Sequence, residues 1–90
     1  MNSFSWDPQR EYENICKHGI DFCSAEKAFS DPERKIFIDT QHSGREDRYF
    51  CVGKIGNEVL TVRFTIQEGK IRIFGAGFWR KGKKIYETKA

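Results

Sequence analysis

The chain is short of the residues on which most catalytic or cofactor-binding designs depend. It has two histidines and three cysteines in 90 residues. Cys16, Cys23 and Cys51 are an odd number with no close metal spacing, and Cys16 and Cys23 stand too far apart for a zinc knuckle, so no metal site is expected. No Ser–His–Asp or Cys–His set is suggested by spacing, and no glycine-rich phosphate loop lies between a strand and a helix. No run of about 18 apolar residues is present, so no membrane span is expected. No apolar run follows a basic N-terminal segment, so no signal peptide is expected. The expected compartment is the cytoplasm, with reduced thiols.

Proline is also scarce, at two residues, while hydrophobic content is 38% and aromatic content 14%. That composition fits a folded globule, and the length fits one domain over 1–90. The net charge of +3 permits an anionic partner without naming one. The placement of the cations has to decide.

Asp7-Pro8 is a helix start, because Asp7 can accept from the first free N–H groups and proline suits the first helical position. Gly19 is a helix stop. The spacing predicts a helix from about Pro8 to His18, with Tyr12, Ile15 and Cys16 on its core face. Lys17 and His18 fall in its last turn. Two readings stand: helix capping, or the basic end of a site. Asn2 to Trp6 reads as a small edge strand. Asp21 or Ser24 starts a second helix of about two turns through Ala25, Ala28 and Phe29, which Asp31-Pro32 stops. Phe22 is expected in the core.

Lys35 to Asp39 reads as a strand and Thr40 to Asp47 as a loop. Arg48 to Ile55 and Glu58 to Ile66 flank Gly56-Asn57, which is a strong hairpin signal. A two-residue loop pairs Cys51 with Val62 and Tyr49 with Phe64. Tyr49, Cys51, Leu60, Val62, Phe64 and Ile66 then share a core face. A turn at Gln67 to Lys70 leads into Ile71 to Phe74, which pairs Ile66 with Ile71. Alternation sends Arg63, Thr65 and Arg72 to the opposite face. That face is either a cationic patch or ordinary solvated charge. Gly75-Ala76-Gly77 is expected to break the strand. Phe78 is expected in the core, and Trp79 is left open. A short helix is expected from about Lys83 to Thr88, with Ile85 inward.

The fold class expected is therefore α+β: a small antiparallel sheet packed by two N-terminal helices, with a short C-terminal helix. RNA cleavage without a metal needs cations at the phosphate and groups that move protons. Arg63, Arg72 and Arg80 are positioned to converge, with His18, His42 and Lys17 as further candidates. Phe78 and Trp79 before the basic run Arg80 to Lys84 are a second nucleic-acid cue, since aromatic rings stack on unpaired bases.

The pattern Trp6-Asp7, Asn14, Lys17-His18-Gly19-Ile20, Phe22, Ala25, Ala28-Phe29 and Asp31-Pro32 resembles the start of the BrnT toxins. The likeness continues more loosely to Tyr86-Glu87. It implies a RelE-like fold and metal-independent endoribonuclease action that inhibits translation and slows bacterial growth. It implies no cofactor. The implied partners are an RNA substrate and a ribbon-helix-helix antitoxin, with promoter DNA contacted only through the antitoxin. Lys17 and His18 match the family's Lys-His-Gly, and Arg72 matches the arginine of its Arg-Ile-Ile strand. His42, Glu46 and Arg48 resemble the loop before its central hairpin. The catalytic set expected is Lys17, His18, Arg63, Arg72 and Arg80, with His42, Trp79, Lys81 and Lys84 on RNA. The end departs from the family, because Gly77 stands at its usual arginine place. The alternative expectation is a non-catalytic module that holds an antitoxin or RNA on the same basic face.

Overall fold

The computed structural model describes residues 3–88. Strand β1 (Phe4–Trp6) leads to helix α1 (Pro8–His18), then to α2 (Phe22–Ala25), which tightens into a 3-10 helix at Glu26–Ser30. Strands β2 (Lys35–Ile38), β3 (Arg48–Ile55), β4 (Glu58–Gln67) and β5 (Lys70–Gly77) follow, and α3 (Arg80–Glu87) closes the chain. The sheet order is β1-β5-β4-β3-β2. The fold is α+β as expected, but the sheet is mixed. β1 runs parallel to β5, pairing Phe4 with Ile71 and Trp6 with Ile73. The expected edge strand is thus present, while Asn2 lies outside the described residues. Among the described residues, no helix is long and apolar enough to cross a membrane.

The hairpin register is the expected one, with Cys51 opposite Val62, Tyr49 opposite Phe64 and Ile66 opposite Ile71. One sheet face is covered by α2 and the 3-10 helix, whose Phe22, Ala25, Ala28 and Phe29 meet Cys51, Leu60, Val62, Phe64, Ile73 and Ala76. Gly53 lets this layer approach, since any Cβ there meets the Ala28 backbone. Burial pushes the Cys51 thiol up to about 12, so it packs rather than reacts. The expected two-turn second helix is instead one α turn plus a 3-10 segment. It is too short to cover Ile66, which is 57% exposed at the sheet's end, contrary to its expected place in the core.

Helix α1 starts and stops where expected. Asp7 Oδ1 accepts from the Gln9 N–H at 2.9 Å, and Gly19 ends it at φ 72°. The face it buries is not the expected one. Tyr12 is 64% exposed and Ile15 43%, and Cys16 is exposed too. The buried residue is Asn14. The reason is backbone chemistry. β1 pairs β5 only as far as Ile73, so beyond it the outward peptide groups of β5 need partners. The Asn14 carboxamide supplies them. Its Nδ2 donates to the Ala76 carbonyl at 2.9 Å and to the Ile20 carbonyl at 3.0 Å, and its Oδ1 accepts from the Ala76 N–H at 3.1 Å. A helix that meets a strand edge turns its polar side inward.

The Gly75-Ala76-Gly77 stretch does not break β5, which runs through to Gly77. Helix α3 begins earlier than expected, at Arg80, and lies on the other sheet face with Gly82 against Val52 and Thr61. The Lys35 ammonium donates to the Ile85 carbonyl at 2.9 Å and to the Thr88 carbonyl, satisfying the helix's last acceptors. The Asp31 carboxylate accepts from the Lys54 N–H at 2.7 Å and from the Tyr86 hydroxyl at 2.5 Å, tying α3 to β3.

Asn14→Ala removes three hydrogen bonds at one buried point, so an equilibrium urea titration should show a loss of about 2–3 kcal/mol. A loss near zero contradicts the role assigned to Asn14. The Tyr86 hydroxyl is the largest influence holding the Asp31 carboxyl below its usual value, ahead of the Lys54 and Glu33 N–H groups, while burial opposes. Stability from a depressed carboxyl is present above the unfolded value and lost as pH falls through the folded one. Tyr86→Phe should therefore lower the denaturation midpoint at neutral pH. The gap from the parent should narrow on acidification below about pH 4.

Candidate nucleic-acid interface

The open sheet face is shaped by an irregularity in β5. Arg63 pairs with Gly75, but Phe64 pairs with Ile73, so β5 holds one extra residue there. Such a bulge re-aims side chains. Ile73 and Ala76 both enter the core, at 1% and 0% exposure, while Phe74 is turned to the opposite face. Two guanidinium groups lie against its ring, Arg48 at 4.6 Å from the centroid and Arg63 at 5.3 Å. The ring holds the two guanidinium groups near one another, because a cation is drawn to the negative face of an aromatic ring. Arg48 pairs with Thr65 and Thr65 with Arg72 across the strands, so a row of cations crosses the face.

Helix α1 adds a second wall. A cleft of about 170 Å³ is lined by Arg10, Lys17 and His18 from α1 and by Arg63, Phe74 and Trp79. The His18 ring meets Trp79 edge-on, at 5.2 Å between centroids and 78° between planes. Trp79 in turn lies over Gly77, where a Cβ would come within 2.7 Å of Trp79 Cζ2. The glycine is thus what lets the tryptophan fold back over the strand. A smaller cleft of about 120 Å³ holds Arg48, Arg72 and Thr65, and shares Arg10 and Phe74 with its neighbour. Carboxylates also stand on these walls: Glu13 in the first cleft, Asp7 and Glu46 in the second.

A third cleft, of about 330 Å³, lies between the sheet and α3. It shares Arg63 and Trp79 with the α1 cleft and includes His42, Thr61, Lys81 and Ile85. The loop that carries His42 is folded on Asp39. The carboxylate accepts from the Gln41 and His42 N–H groups and lies 2.8 Å from His42 Nδ1. Burial raises the Asp39 carboxyl, but the His42 hydrogen bond and the neighbouring contacts outweigh it and leave the value lowered.

The structure brings Lys17, His18 and Arg63 to one cleft, with Arg72 in the next and His42, Trp79 and Lys81 beyond Arg63. Arg80 does not converge with Arg63 and Arg72. It lies on the far side of Trp79, with Lys83 and Glu58. Lys84 is exposed on α3 and lines none of these clefts. Phe78, expected in the core, is 43% exposed, because the chain leaves the sheet there and Trp79 takes the covered place. Sequence reasoning missed Arg10 and Phe74. Arg10 was signalled by its spacing, since Arg10, Asn14 and Lys17 repeat at helical intervals along the polar face.

A family model described as the ribonuclease toxin BrnT of type II toxin–antitoxin systems matches residues 6–82. The chain belongs to the BrnT family. A comparison with curated proteins finds no match. The matched span takes in α1, the whole of β2 to β5 and the first residues of α3, so both arginine-lined clefts fall inside the BrnT unit. Family membership identifies a ribonuclease toxin lineage with an antitoxin partner and an RNA substrate.

Gly77→Ala should push Trp79 off its seat. In a Trp6→Phe background, where Trp79 is the sole tryptophan, its emission should shift to the red. An unchanged spectrum contradicts the packing described.

Proposed function

We propose that this BrnT chain is a metal-independent endoribonuclease whose site is the α1 cleft and the arginine row beside it. The observation that carries the reading is the pair of guanidinium groups, Arg48 and Arg63, held against Phe74 on the face that His18 and Lys17 border. Arginine forks match phosphate oxygens, and held cations stabilise the charge that grows on them during cleavage. His18 takes the proton from the ribose 2′-hydroxyl. The 2′-oxygen attacks phosphorus, and the bond to the 5′-oxygen breaks. Lys17 gives that oxygen a proton. The products are a 2′,3′-cyclic phosphate and a 5′-hydroxyl, with no water consumed. Arg72 and Arg10 hold the neighbouring backbone.

In this reading the cut RNA halts translation and growth in the cytoplasm. A ribbon-helix-helix antitoxin neutralises the toxin and makes the promoter contacts. The RelE-like ancestry implied by the family belongs to the same proposal. A second reading has one observation in its favour. Gly77 occupies the expected arginine place and is covered by Trp79, so that cation is missing. The face would then hold RNA or antitoxin without cutting.

Cleavage of a defined RNA by the purified protein separates the two. His18→Ala and Arg63→Ala should each lower kcat by about 100-fold or more with the fold retained. Growth should arrest when the parent is induced alone, and recover with the neighbouring antitoxin gene or with Arg63→Ala. A folded parent that binds RNA and leaves it intact contradicts the enzyme reading and supports the binding module.

A further inference from the structure

We propose that the cleft between the sheet and α3 is a pocket for one unpaired RNA base next to the cut phosphate. The inference takes its ligand class from the ribonuclease reading. At about 330 Å³ the cleft is of the size that holds small flat ligands. Its walls are aromatic. Phe37 and Phe50 lie 5.1 Å apart with planes 32° from parallel, and Trp79 also lines it. Flat rings give a base a stacking surface that works for every base type.

Two polar features choose a base over an aliphatic side chain. Thr61 lines the cleft, and its Oγ1 is buried with no hydrogen-bond partner among the described residues. An unpartnered buried hydroxyl is costly, and a small shift of Gly82, which covers it, would let a base edge supply the missing partner. Arg63 and Lys81 also line the cleft, and none of its lining residues is a carboxylate. That charge suits the phosphates on either side of a splayed-out base. Arg63 also lines the cleft of His18 and Lys17, so a base seated here places its adjoining phosphate at the proposed cutting groups. Gly82 permits the arrangement. Any side chain there would strike Thr61, so glycine lets α3 come down onto β4 and close one side of the pocket.

The test uses short 2′-O-methyl RNA oligonucleotides, which bind without being cut, each abasic at one successive position. Binding is read by anisotropy for the parent, Phe37→Leu, Trp79→Leu and Thr61→Val, each confirmed folded by circular dichroism. One abasic position should weaken parent binding roughly tenfold. That penalty should vanish in Phe37→Leu and Trp79→Leu, while Thr61→Val should keep it and change which base is preferred. Equal affinity for every abasic oligonucleotide overturns the inference, as does a penalty that survives both aromatic substitutions. The unmodified RNA distinguishes the two levels. Cleavage with no abasic penalty leaves the ribonuclease reading standing and removes the pocket. A variant-sensitive penalty without cleavage keeps the pocket and removes the ribonuclease reading.

Discussion

One extra residue in β5 governs much of this molecule. A slip of one position moves every later side chain of a strand to the other face. Here the slip falls between Ile73 and Gly75, opposite Arg63 and Phe64. It returns Ala76 to the core and leaves Gly75 beside the Arg63 stem, on the face that Phe74 shares with the arginines. Without it, strict alternation would bury Gly75 and expose Ala76. The core would lose a methyl, and that methyl would stand on the arginine face in place of the glycine.

The same region sets how α1 docks. Ala76 presents its peptide to the strand edge, and Asn14 pairs with both groups of that peptide. The helix is therefore held by a carboxamide rather than by an apolar stripe. This orientation brings Arg10, Lys17 and His18 along the arginine face. A helix packed in the conventional way, with Tyr12 and Ile15 inward, would carry those cations elsewhere. Fold and site thus rest on one local arrangement. Trp79 completes it by bridging Gly77 and His18, which links the end of the sheet to the end of the helix.

Much of the fold was legible in the sequence because it follows from local rules. Asp7-Pro8 and Gly19 bounded α1, and Gly56-Asn57 set the hairpin register. Alternation placed Arg63 and Arg72 on one face. What was not legible depends on tertiary context. The inverted face of α1 arises because its neighbour is a strand edge with unpaired peptides, which no periodicity in α1 reveals. The parallel pairing of β1 requires knowing where a three-residue strand docks. The bulge hid behind Gly75-Ala76-Gly77, whose glycines read as a break when they allow close approach within a continuous strand. Arg80 looked like a site residue because it follows closely on the strand of Arg72, and Lys84 because it belongs to the basic run beside Phe78 and Trp79. Helix α3 turns them away from Arg63. His42 was signalled only as a candidate, and its place depends on the turn that Asp39 organises.

The central claim is that three arginines fixed by the sheet, Arg48, Arg63 and Arg72, meet the phosphates of a single RNA strand. Each phosphate contact releases counterions, so the claim is read most directly in the salt dependence of binding. The measurement compares the parent with the protein carrying Arg48→Gln, Arg63→Gln and Arg72→Gln, using one uncleavable single-stranded oligonucleotide across a range of salt. The account predicts that the slope of log affinity against log salt becomes shallower by about 2 in the substituted protein. An identical slope would mean that the RNA does not lie on this face.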